Sequence, residues 1–150
     1  MCGVVSAELE ADVLAVNAAF YAAFESGDLD GMRRVWDDTQ DVVCVHPGWS
    51  PVRGAAALHR SWAMVMASTP YIQFILTDVI VSVRGDVASV TCSENVLAAG
   101  GETPAAGFSG GQAVATNLFR LTPAGWRLWI HHASPVLSQE HGALDGGLNP

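Results

Sequence analysis

A chain of 150 residues with a formal charge of −8 is long enough for one domain with its own core. It is also too acidic to hold a nucleic-acid backbone, which its few scattered arginines could not neutralise. Half of the residues are hydrophobic, yet no run approaches the roughly 20 apolar positions of a membrane-spanning helix. The chain has no lysine, which excludes an internal Schiff base and a lysine general base. The first ten residues lack the basic and apolar regions of a secretory signal, so a cytoplasmic location is expected. Cys2, Cys44 and Cys92 are odd in number and not spaced for a metal, as befits reduced thiols. No glycine-rich phosphate loop and no nucleophile elbow occurs.

Val13, Val16, Phe20 and Phe24 recur at spacings of three and four, which predicts a first helix ended by Gly27. Asp28 stands where an N-cap belongs, ahead of a short second helix with Leu29, Met32, Val35 and Trp36 on its apolar side. Residues 41–46 are rich in β-branched side chains and stop at Pro47-Gly48, so a strand is expected with His46 at its last position. Ala55, Leu58, Trp62, Val65 and Met66 support a third helix that ends before Pro70.

Strands follow: 71–84 and 87–97 around a turn at Gly85-Asp86, then 112–121 and 126–133 around a turn at 122–125. Helices first and an antiparallel meander afterwards make an α+β fold, a single domain over 1–137 with a loose tail over 138–150. A sheet curved over three helices leaves an open mouth, a common place for a ligand.

Three motifs, Ser26-Gly27-Asp28-Leu29-Asp30-Gly31-Met32, Val42-Val43-Cys44-Val45-His46-Pro47 and Gly125-Trp126-Arg127 followed by His131-His132-Ala133-Ser134, resemble in order and spacing the nuclear transport factor 2-like superfamily. The resemblance covers about residues 13–136, is closest to the SnoaL-like branch, and is similar in layout to ketosteroid isomerase. It implies a cone-shaped α+β barrel, three N-terminal helices packed on a strongly curved, mostly antiparallel sheet. It also implies a pocket that serves isomerases, cyclases and dehydratases in some members and plain binding or assembly in others. The isomerase's base falls on His46 and one of its oxyanion-hole residues on Asn117. Its tyrosine falls on Phe20, next to Tyr21. Losing an oxyanion donor costs a few kcal/mol of transition-state stabilisation, which argues against steroid-type isomerisation.

The residues themselves point the same way. A histidine at a strand end near a pocket mouth suits a general base, and hydrogen bonding to the turn is its structural alternative. His131 and His132 are consecutive in a strand, so only one can face inward. Trp126, Leu128 and Ile130 share the parity of His132, which makes His132 the inward candidate. Glu94 shares the parity of Ala88, Val90, Cys92 and Val96, whereas the resemblance favours Asn95, with Thr91 and Ser93, as pocket-facing; a slip of one residue decides between them. Trp49, Trp62 and Tyr71 are candidate walls or lids, with packing as the alternative for Trp62.

The expected reaction is proton abstraction next to a carbonyl of a small apolar molecule, with His46 as base, Asn117 and His132 as donors, and no cofactor. A non-catalytic binding or assembly module is the main alternative. A metal site of His46, His132 and either Glu94 or His59 is the second, although no compact ligand motif supports it. Apolar residues on the outer sheet face, some within 71–83, suggest a homodimer.

Overall fold

The computed structural model describes residues 2–99 and 110–137; the tail expected over 138–150 lies outside them. Helix α1 (Cys2–Ser26) is followed by α2 (Leu29–Val35), strands β1 (Val43–Val45) and β2 (Val52–Arg53), and α3 (Ala55–Ala67). Four long strands complete the chain: β3 (Tyr71–Arg84), β4 (Val87–Ala99), β5 (Gln112–Thr122) and β6 (Gly125–Pro135). The helical periodicity holds for Val13 and Phe20, which are buried with Asn17, Tyr21 and Ala23 on the same side of α1. Gly27 ends that helix at φ +67°, a conformation open to glycine at little cost. The carboxylate of Asp28 caps α2 by accepting from the Gly31 amide at 2.9 Å.

One six-stranded sheet runs in the order β2-β1-β6-β5-β4-β3. The long strands form the antiparallel meander, while β1 lies parallel to β6 and makes the sheet mixed. Strand β2, too short to announce itself as a periodic pattern, pairs with β1. The three helices cover one face of the sheet, an α+β cone whose core includes Phe20, Met32, Leu58, Trp62, Phe119 and Leu128.

Two bulges shape the sheet. In β3, Asp78 and Val79 together oppose Cys92, and Asp78 takes φ +53°, which a short polar side chain tolerates. In β6, Leu118 pairs with Ile130 but Phe119 pairs with Leu128, so Trp129 is the extra residue. An extra residue reverses which face each later side chain takes. Trp126 and Leu128 are buried before the bulge, and His131 and Ala133 after it. His132 is therefore exposed, and the inward histidine is His131; strict alternation through Ile130 had assigned them the other way.

Candidate functional site

A pocket opens between α1, α3 and the inner face of β3, β4 and β6. Its wall is apolar and aromatic, with Phe20, Phe24, Trp62, Phe74, Ile72 and Val96. Its polar residues are Tyr21, His46, Glu94 and His131. The cavity has a volume of about 40 Å³ and opens to solvent at its mouth.

Glu94 reaches the pocket because β4 alternates without interruption beside it: Ala88, Val90, Cys92, Glu94 and Val96 are all buried. Parity thus decides for Glu94. Asn95, which the resemblance favoured with Thr91 and Ser93, sits on the other face of β4. There it donates to Ile75 O at 2.8 Å and to Thr77 Oγ1 at 3.0 Å. Burial holds the Glu94 carboxyl well above its ordinary value, at about 7, even though the Tyr21 hydroxyl donates to its Oε2 at 2.6 Å and pulls the other way.

Tyr21 is one residue from the position the resemblance pointed to. Phe20 is buried 4.8 Å away, ring centre to ring centre, so the helix supplies both an aromatic wall and a phenolic hydroxyl. Desolvation and the neighbouring Glu94 raise the Tyr21 pKa, keeping the phenol protonated. Its oxygen accepts from Asn117 Nδ2 at 3.2 Å. Asn117 Nδ2 also donates to Asn17 Oδ1 at 2.8 Å, and Asn117 Oδ1 lies 2.6 Å from His131 Nδ1. Asn117 is fully buried and does not line the pocket. Its amide is spent on holding Tyr21 and His131, so it positions other groups and is not itself a donor to a ligand. The Asn17 partner, one turn before Tyr21 on α1, escaped sequence reasoning because a lone buried asparagine carries no periodic signal.

His46 follows β1 directly, buried in edge-type packing with Trp49 and Trp62, each 4.7 Å from it between ring centres. Ser61 Oγ lies 2.7 Å from Leu58 O, which can only accept, so the serine proton goes there. The 3.0 Å contact between Ser61 Oγ and His46 Nε2 is then donated by the imidazole. His46 thus carries a proton on Nε2, and in the neutral ring the lone pair lies on Nδ1, 4.0 Å from the Cys44 thiol. Desolvation lowers its pKa from 6.5 to about 4. Burial, with His46 and His132 as like charges, lowers that of His131 to about 3.

The remaining candidates divide. Trp62 is a pocket wall; Trp49 packs on His46 without lining the pocket. Tyr71 is exposed, and its hydroxyl donates to Gln73 Oε1, so it is no wall. With His132 on the outer face and His59 outside the pocket, the metal set of the second alternative is not brought together. Among the described residues no group of three or more His, Cys, Asp or Glu could hold a metal ion.

A family model described as SnoaL-like domain matches residues 13–138. A solved structure titled a "putative dehydratase" of the nuclear transport factor 2-like family, from Streptomyces avermitilis, is 48% identical, with a TM-score of 0.78, over 86% of this chain and 96% of that one. A "putative" calcium/calmodulin-dependent protein kinase type II association domain from Thiobacillus denitrificans is 32% identical, with a TM-score of 0.71, over 82% and 94%. The F-box protein SKIP8 of Arabidopsis thaliana is 23% identical over 83% of this chain, and the match spans 50% of that longer protein. The chain belongs to the SnoaL-like branch of the nuclear transport factor 2-like superfamily.

Proposed function

We propose that the protein is an acid–base enzyme acting on a small, largely apolar carbonyl compound, as an isomerase, cyclase or dehydratase. The observation that carries this reading is the pairing, in one aromatic pocket, of a carboxyl held at about 7 with an imidazole held neutral down to about 4. Environments that push two titrating groups apart are how one site keeps an acid and a base at the same pH. His46 Nδ1 takes the proton from the carbon next to the carbonyl, and the electron pair moves onto the carbonyl oxygen. In a dehydration the returning pair expels a β-hydroxyl, which leaves as water with the proton of Glu94. Proton transfer from His46 back to Glu94 resets the site. The 48% identical structure described as a "putative dehydratase" supports the last variant.

Turnover needs His46 unprotonated and Glu94 protonated. The pH–rate profile of a substrate found by screening β-hydroxy ketones should therefore be a bell with limbs near 4 and 7. His46→Ala and Glu94→Gln should each remove 10²-fold or more of kcat, roughly the lower end of general acid–base contributions. Unchanged turnover in His46→Ala would show the base assignment to be wrong.

A non-catalytic assembly role is favoured by a separate observation. The outer sheet face exposes Tyr71, Ile75, Leu97 and Val114 on three adjacent strands, and a 32% identical relative is titled an association domain. A homodimer through this face belongs to the proposal, as does a cytoplasmic location; no described helix is long and apolar enough to cross a membrane.

A further inference from the structure

We infer that His131 presents a second bare imidazole nitrogen to the pocket, beside Glu94, and that the site selects an uncharged hydroxyl-bearing ligand, a phenol or catechol, which donates hydrogen bonds to it. The inference rests on the reading of this pocket as the ligand site. The proton of each polar group can be followed. Tyr21 gives its single proton to Glu94, so its oxygen accepts from Asn117 Nδ2. That amide nitrogen gives its other proton to Asn17 Oδ1, which leaves Asn117 Oδ1 facing His131 Nδ1. An amide oxygen only accepts, so the imidazole proton lies on Nδ1 and Nε2 carries a lone pair.

The direction of that lone pair follows from burial. Among the described residues, the buried side-chain N and O atoms without a partner are Trp36 Nε1, Trp62 Nε1 and Thr69 Oγ1. His131 Nε2 is not one of them, although no described group bonds to it, so it borders open space. The same holds for Glu94 Oε1. His131 lines the pocket, and Asn117, on the other side of its ring, does not. Near neutral pH the pocket thus offers His131 Nε2 as an acceptor, beside Glu94, which can switch between acceptor and donor.

Charge narrows the ligand further. The chain's cations are Arg33, Arg34, Arg53, Arg60, Arg84, Arg120 and Arg127, and none lines the pocket. A carboxylate or phosphate would enter beside Glu94 with no countercharge. Phe20, Phe24, Phe74 and Trp62 line the pocket and suit an apolar ring instead.

The test uses wild-type protein with ¹⁵N-labelled histidine, catechol as the probe, and two comparators: 1,2-dimethoxybenzene, with the ring but no donors, and benzoate. Imidazole ¹⁵N spectra should show His131 protonated at Nδ1, and catechol should shift its Nε2 resonance. Dimethoxybenzene and benzoate should bind at least tenfold more weakly, and His131→Phe should reduce catechol's advantage over dimethoxybenzene severalfold. A proton found on His131 Nε2, equal binding of dimethoxybenzene, tightest binding of benzoate, or no catechol binding would each overturn the inference. The acid–base reading fails separately, through the pH dependence of Glu94, which requires no ligand.

Discussion

Replacing Glu94 with glutamine tests the electrostatics of the pocket without knowledge of a substrate. The substitution keeps the side chain's size and an oxygen able to accept from Tyr21, but removes the titration. The Glu94 carboxyl has an ordinary value of 4.5 and is held at about 7 in the folded protein. Between these values the native state keeps a proton that the unfolded chain has released, so stability is full below 4.5 and is lost as pH rises through 7. At about 1.4 kcal/mol per tenfold change in proton affinity, the loss is roughly 3 kcal/mol. Urea unfolding followed by tryptophan fluorescence, at fixed protein concentration, measures it. Relative to Glu94→Gln, the wild type should lose roughly 3 kcal/mol between pH 4.5 and pH 8.5, or roughly 6–12 °C in Tm for a chain of this size. Parallel stability curves for the two proteins would refute the claim that Glu94 is desolvated in an apolar pocket.

The histidines act with the opposite sign. Folded values of about 4 for His46 and about 3 for His131, against 6.5 unfolded, mean that stability is present above 6.5 and falls as the pH drops towards those values, so His131→Asn should flatten the acid limb of the stability curve. At neutral pH that same variant should cost roughly 2–4 kcal/mol as a buried, bonded side chain, while exposed His132→Ala stays within about 0.5 kcal/mol, as urea titrations would show. Arg120 donates to Asp37 and to Asp41, and its guanidinium lies 5.0 Å over Trp129; it holds the Asp41 carboxyl far below its ordinary range. Arg120→Met should therefore lower Tm more at pH 7 than at pH 2.5, because a depressed carboxylate contributes above its ordinary value and loses that contribution on acidification. For the proposed dimer, Ile75→Arg with Val114→Arg should convert the species seen by native mass spectrometry to monomer; a monomeric wild type would refute that interface.

Periodicity alone determined the three helices, the four long strands and the α+β class, while for Glu94 it pointed inward against Asn95 and only the register of β4 decided. The elements rest on local spacing, which survives wherever a helix or strand runs without interruption. The same local reasoning chose His132 over His131 and failed, because the Trp129 bulge is a shift of register between β5 and β6 that no pattern within β6 records. Asn117 was legible as a site residue, but its work was not. Its partners Asn17 and His131 lie 100 and 14 residues away, and an amide becomes a positioning group only when folding fills all its hydrogen bonds. Glu94 and His46 likewise acquire their unusual proton affinities from burial, a property of the assembled pocket and of no segment of the chain by itself.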